Sequence, residues 1–331
     1  MTSCKRIFVL GATGTIGLAT VRSLIQQGHE VVCFIRSNAG ARGDLQAKES
    51  ISLFEGASVR FGQVGDPLSL RDQGFKGERF DVLVSCLASR TGTPRDAWAI
   101  DYQAHVDALE AAKSAGVSHF VLLSAICVQK PLLAFQHAKL AFEQRLIESG
   151  LTYSIVRPTA FFKSLSGQIG RLKKGKPFLL FGDGTLTSCK PISDGDLGDF
   201  IADCIRDQTR HNRILPIGGP GAAITPKEQG EKLFDLLGQE VRFKHVPVAL
   251  MDVIIHVLGF LGRFIPALAD KAELARIGRY YATESMLVWD AQAGVYDAAA
   301  TPSTGTQTLF DFYADLVQGA EAPERGDHAV F

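Results

Sequence analysis

The sequence predicts an α/β fold, a doubly wound parallel sheet with a smaller, mostly helical lobe attached. Three observations predict it. Apolar runs of strand length recur at 7–10, 31–35, 59–61, 82–87, 120–123 and 153–156, separated by helix-length periodic segments, the pattern of βαβ units. The runs are apolar at successive rather than alternate positions, as strands covered by helices on both faces must be. A glycine-rich turn, finally, joins the first run to the first helix.

The first run begins at Ile7 after a short polar stretch. No room is left for a signal or transit peptide, which predicts a cytoplasmic protein. The first helix is expected over 15–27 and another over 136–149, each stopped by a glycine, Gly28 and Gly150, at the position where a left-handed cap is favoured. After Arg157 and Pro158 the alternation fades, and a Gly- and Lys-rich stretch at 167–176 leads into Phe181, Gly182, Asp183 and Gly184. A second lobe is expected to begin there. A helix over 196–205 and a strand over 214–217 return to the first domain. The expected division is 1–160 with 194–220 for the first domain, and 161–193 with 221–331 for the second lobe; 320–331 reads as a loose tail.

Composition narrows the functional classes. Of 331 residues, 46% are hydrophobic and 21% charged, with 35 Lys plus Arg balancing 35 Asp plus Glu. That balance offers no basis for nucleic-acid binding, which needs concentrated positive charge. Cys4, Cys33, Cys86, Cys127, Cys189 and Cys204 form no C-x-x-C pair and read as buried small hydrophobes, so no metal site is expected. Segment 246–266 is the most apolar stretch, with Leu250, Val253, Ile254, Val257, Leu258, Leu261 and Phe264 at helical spacing. Asp252 and Arg263 would each cost roughly 2.5 to 3.5 kcal/mol near a bilayer centre, so the segment does not span. Two readings remain open: a helix packed in the second lobe, or a lid that touches substrate or makes peripheral contact with a membrane.

Gly11, Gly14 and Gly17 form G-x-x-G-x-x-G between the first strand and the first helix. In a βαβ unit such glycines let the backbone approach a pyrophosphate, which the free N–H groups of the helix N-terminus then hold. The placement predicts a Rossmann dinucleotide-binding domain. About 20 residues past the glycines, NAD binders place an acid on the ribose 2′-hydroxyl. Arg36 stands there instead, with Ser37, Asn38 and Arg42 following. A guanidinium suits a 2′-phosphate, so NADPH is the expected cofactor.

Lys139, Glu143 and the run from Ser149 through Arg157 and Pro158 to Phe162 resemble atypical short-chain dehydrogenase/reductases of the NmrA-like and isoflavone-reductase-like branch. Longer strings narrow the likeness: SCLASR from Ser85, WAIDYQ from Trp98, FVLLSAICVQKPLL from Phe120, IVRPTAFFKSL from Ile155, KPIS from Lys190 and RIGRYYATESM from Arg276. These are similar to the NADPH-dependent, cluster-free family of 3,8-divinyl (proto)chlorophyllide 8-vinyl reductases. The resemblance implies reduction of the 8-vinyl group of a magnesium tetrapyrrole, divinyl chlorophyllide a or its protochlorophyllide counterpart, in (bacterio)chlorophyll synthesis, with contact to photosynthetic membranes as a further option. It also implies that Gly11, Thr13, Gly14, Thr15, Ile16 and Gly17 meet the pyrophosphate. Asp66 would face adenine, Ala88 the adenosine ribose and Lys139 the nicotinamide ribose, with Ser124 and Pro158 near the same end. Two alternatives are a reductase of another conjugated small molecule and an NmrA-like sensor that binds dinucleotide without turnover.

One departure from the wider superfamily bears on mechanism. Four residues before Lys139, where a Tyr-x-x-x-Lys tyrosine would stand, is Phe135. Losing a positioned general acid lowers rates by about 10²- to 10⁴-fold, so carbonyl reduction is disfavoured. Hydride addition to a vinyl group on a conjugated macrocycle forms no alkoxide and tolerates the loss. Lys139, Lys163 and Lys190 are the expected cations at the nicotinamide end, and Tyr153 is a weaker proton-donor candidate. Phe161, Phe162, Tyr280, Tyr281 and Trp289 are expected to wall a flat apolar slot between the lobes. His137 and His256 read as structural rather than as magnesium ligands.

Overall fold

A computed structural model describes residues 4–36 and 52–320. In chain order the main elements are β1 (Arg6–Leu10), α1 (Thr15–Gln26), β2 (Glu30–Ile35), β3 (Ser58–Phe61), β4 (Val82–Ser85), α2 (His105–Ser114), β5 (His119–Leu123), α3 (Ala134–Ile147), β6 (Thr152–Pro158) and β7 (Phe178–Phe181). There follow α4 (Asp194–Asp203), β8 (Arg213–Ile217), α5 (Pro226–Leu236), β9 (Phe243–Val246), α6 (Val248–Leu261), α7 (Pro266–Thr283), β10 (Val288–Asp290), β11 (Val295–Asp297) and α8 (Leu309–Gln318).

Seven strands form one sheet in the order β3-β2-β1-β4-β5-β6-β8, and every pairing in it is parallel. Successive side chains of a strand point to opposite faces, and both faces are buried. Ile7 and Val9 feed one core with Val21, Leu24, Leu197 and Ile201 from α1 and α4. Phe8 and Leu10 feed the other with Leu109, Phe142 and Leu146 from α2 and α3. This explains the uninterrupted apolar runs. α4 packs on α1 and β8 closes the sheet edge beside β6, so chain beyond 193 supports the nucleotide-binding side.

Element ends differ from expectation where side chains cap the backbone. α4 starts at Asp194 rather than 196 because Ser193 Oγ accepts the N–H of Asp196 at 3.0 Å. α3 starts at Ala134 rather than 136, and Gln136 Oε1 accepts the N–H groups of Leu132 and Leu133 at 2.7 and 2.9 Å. The second lobe is mainly helical, as its sequence suggests. It contains β7 paired parallel with β9, and β10 antiparallel with β11, strands too short to show a period. Cys4 is exposed and Cys86 half-buried, so only four of the six cysteines are the buried hydrophobes expected.

Segment 246–266 is not a helix packed in the core. α6 has no buried residue and packs chiefly on α7, with Asp252 paired to Arg279 across the two. Val253 is 59% exposed, Phe260 60% and Phe264 74%. Among the described residues no helix is long and apolar enough to cross a membrane.

A buried ion pair ties α3 to the sheet. Glu143 accepts from Arg157 of β6 and from Ser124 Oγ at the end of β5, and the two charged side chains are 3% and 15% exposed. Removing one partner of such a pair leaves an uncompensated buried charge, at about 3–5 kcal/mol. Arg157→Ala is therefore expected to lower unfolding stability by ~3 kcal/mol, read as a lowered urea midpoint by circular dichroism; a change below ~1 kcal/mol would contradict the assignment.

Candidate active site

The loop between β1 and α1 is shaped by two close approaches. Gly11 has φ +73°, and a Cβ there would lie 2.5 Å from the Cys86 carbonyl group; a Cβ on Gly17 would lie 2.1 Å from Gly11 O. Any side chain would push α1 away from the strand ends. Gly14 caps α1 without a side-chain hydrogen bond, and no acid stands in the first turn. The first amides of α1 thus face outward with no side chain competing for them, which fits a bound anion. Ile16 is buried in the core, so only its backbone serves the loop, while Thr13 and Thr15 are half-buried.

Lys163 differs from its expected place. Its Nζ donates to Thr15 Oγ1 at 2.9 Å, which puts its charge beside the first turn of α1. Its charge also reaches Asp194, whose carboxyl burial pushes up to about 6 while Lys163 draws it down. Arg36 is exposed at the end of β2. Ser37, Asn38 and Arg42 lie outside the described residues. Asp66 is exposed and its Oδ1 accepts the N–H of Leu68 at 3.0 Å, capping a short helix after β3.

Beyond the loop a cavity of about 420 Å³ opens past the ends of β4, β5 and β6, where ligands of parallel sheets bind. Its walls are largely apolar: Leu87, Ala88, Ile126, Phe135, Pro158, Phe161, Phe178, Phe181 and Met286 among them. Cys86 and Leu87, read from sequence as the end of a strand, are lining residues past the last residue of β4. Leu186, 50% exposed, stands at the rim. Lys139 lines this cavity and Lys163 and Lys190 do not.

Lys139 is held by Asp101 at 2.9 Å, with side-chain exposures of 11% and 0%. Asp101 comes from a π-helical turn, Trp98–Ala104, a local irregularity common at functional sites. Burial works against its charge, but Lys139 and Ser89 outweigh it and hold the carboxyl below its usual range; the backbone N–H of Ser89 donates to Oδ1 at 3.1 Å. His105 lies close by. Burial, then the charge of Lys139, pushes it down to about 4, so it is neutral, with one ring nitrogen on Ser85 Oγ and the other on Ile100 O, both at 2.9 Å. Neither Asp101 nor His105 is singled out by sequence, although Asp101 sits in the WAIDYQ string; an acid in an apolar helix was the available signal.

Several expected site residues are elsewhere. Lys190 Nζ donates to Thr301 O at 3.0 Å and Ser303 Oγ at 3.3 Å, fastening the segment after β11. Phe162 is buried against Phe312 in the second-lobe core. Tyr280 is buried and its hydroxyl donates to Cys127 O and Lys130 O. Trp289 stacks beside Tyr296 under the Lys130 ammonium. Each meets a stronger partner than an open slot provides. Tyr153 packs against the core beneath the sheet. Ser124 borders the cavity, but its hydroxyl is bound to Glu143. Phe161 and Tyr281 alone of the five expected aromatic walls line the cavity.

Residues 11–208 match the NAD(P)H-binding family model. The divinyl chlorophyllide a 8-vinyl-reductase of Cucumis sativus is 51% identical over 98% of this chain and 79% of its own length. That of Oryza sativa subsp. indica is 50% identical over 98% of this chain and 82% of its own. The chain belongs to this 8-vinyl-reductase family. Its fold is also that of leucoanthocyanidin reductase from Vitis vinifera, solved with NADPH, at TM-score 0.67 and 14% identity over 95% of this chain and 99% of that one. For this 8-vinyl-reductase family member the family match covers the glycine loop, Lys139 and Lys163 together.

Charge-assisted hydrogen bonds contribute about 1.5–3 kcal/mol, or roughly 10- to 100-fold in affinity. Lys163→Ala should weaken NADPH and NADH alike by about that factor in fluorescence titrations. Arg36→Ala should weaken NADPH only. Equal losses of both dinucleotides in the Arg36 variant would overturn its assignment to a 2′-phosphate.

Proposed function

We propose that the protein reduces the 8-vinyl group of divinyl chlorophyllide a, or of divinyl protochlorophyllide a, to ethyl with NADPH, in chlorophyll or bacteriochlorophyll synthesis. The observation that carries the reading is family membership at 51% identity across the chain, joined to an apolar cavity at the sheet's carboxyl end with one buried cation in its wall.

NADPH, when bound, supplies hydride from its nicotinamide ring. Gly11, Thr13, Gly14, Thr15, Ile16 and Gly17 offer backbone to the pyrophosphate, and Lys163 adds a cation there. Arg36 takes the 2′-phosphate, Asp66 lies toward adenine, and Ala88 toward the adenosine ribose. Lys139 reaches the nicotinamide ribose, with Ser124 and Pro158 shaping that end. The cavity's volume lies within the range of about 300–1,000 Å³ common for small-molecule sites. An edge of the flat pigment enters between Phe161 and Tyr281 while the rest lies toward the rim at Leu186. The apolar walls exclude water from the vinyl group. Asp101 orients Lys139 through their ion pair, and the ammonium charge stabilises the negative charge spreading over the macrocycle. Phe135 leaves α3 without a phenol, which a substrate that forms no alkoxide tolerates.

Purified protein with NADPH and divinyl chlorophyllide a should convert the pigment spectrum to the monovinyl form under anaerobic conditions, whereas a small enone should not be reduced. Lys139→Ala is expected to lower turnover at least ~10²-fold with the fold intact by circular dichroism. NADPH oxidation without pigment conversion would defeat the reading.

The exposed apolar stripe of α6, with Phe260 near its end and Arg263 and Phe264 just past it, rests on an anionic membrane surface from which the pigment arrives. An exposed cation beside aromatic side chains suits such a surface. Binding to phosphatidylglycerol vesicles in sedimentation should fall at least tenfold in the double variant Phe260→Glu, Phe264→Glu, since each buried Phe contributes about 1.5–3 kcal/mol. Unchanged sedimentation would exclude this face.

A further inference from the structure

The phenol missing from α3 is present on the same cavity wall, brought by another helix. Phe135 and Tyr281 both line the cavity, and so does Lys139. Ile277, one turn before Tyr281 on α7, meets Phe135 around Gly92: a Cβ added there would lie 3.1 Å from Ile277 Cδ1 and 3.5 Å from Phe135 Cδ1. The two tyrosines of α7 have separate tasks. Tyr280 is buried and its hydroxyl is fastened to the carbonyls of Cys127 and Lys130. Tyr281 retains 38% exposure and lines the cavity together with Cys127. Phenol, thiol and ammonium thus share one cavity wall: Tyr281, Cys127 and Lys139 all line it. Glu284, also on the wall, is neutralised by Lys130 at 2.7 Å.

We infer that Tyr281 is the acid that protonates the inner vinyl carbon, replacing from α7 the phenol that α3 lacks. The inference rests on the vinyl-reduction reading. The terminal vinyl carbon gains a hydride and the C=C π bond opens, its electron pair passing into the macrocycle. The Tyr281 O–H bond then breaks as its proton forms the C–H bond at the inner carbon, giving ethyl. Two electrons leave NADPH, which becomes NADP⁺, and water returns a proton to the phenolate. Burial keeps the Tyr281 phenol well above its usual range, so it stays protonated through alkaline pH. A carbon-centred anion is a far stronger base than phenolate, and the transfer remains downhill.

Tyr281→Phe removes one oxygen and keeps the ring. Turnover is expected to fall about 10²-fold or more. Dissociation constants for NADP⁺ (by fluorescence) and for divinyl chlorophyllide a (by absorbance) should stay within about threefold of wild type. In D₂O the wild type should place deuterium at the inner carbon on one face, and the residual product of the variant should carry it on both. Turnover within threefold of wild type, or a loss explained by weakened pigment binding, would overturn the inference. Should the unaltered protein fail to reduce the pigment, the functional reading falls first and this inference with it, a result distinct from a variant that is as active as its parent.

Discussion

The close approach of α1 to the strand ends is the constraint on which the site depends. Gly17 lets the first turn of α1 settle onto the carbonyl of Gly11, and Gly11 in turn presses against the carbonyl of Cys86. Because the contacts are backbone to backbone, no rotamer change can absorb an added methyl group. The same Cys86 opens the cavity wall. One compression therefore orients the anion-binding amides and starts the apolar chamber, so a dinucleotide lying across the strand ends meets both without any rearrangement of the sheet.

Charge is distributed along that line according to use. At the glycine loop, Lys163 and the uncapped amides of α1 stand together, with Lys163 on Thr15. At the reacting end the cation is buried and paired: Asp101 balances Lys139, and the neutral His105 adds no second charge beside it. A buried charge without a partner is costly, and Asp101 compensates that of Lys139 among apolar side chains. The π-helical turn that delivers Asp101 is the local irregularity this requires.

The second lobe has two surfaces of different character. Its inner wall, from Phe161, Phe178 and Tyr281, closes over the cavity. Its outer hairpin, α6 against α7, leaves Val253, Val257, Phe260 and Phe264 in the open. α7 belongs to both surfaces, with Tyr281 at its inner side and Arg279 bound to Asp252 of α6 at its outer.

Sequence by itself determined the parallel sheet and the glycine loop, because period, turn chemistry and strand-to-helix placement are local properties of the chain. The long strings quoted from Ser85, Phe120, Ile155 and Arg276 determined the family likeness, and Phe135 showed that a phenol was missing from α3. Only tertiary structure decided which lysine of three lines the cavity, which tyrosine of an adjacent pair faces it, and why Trp289 and Phe162 do not. Those choices turn on what each side chain meets across more than a hundred residues of intervening chain, as when Lys190 finds Thr301 or Tyr280 finds Cys127. A linear pattern carries residue type and spacing, whereas competition among distant partners is settled only when the lobes pack.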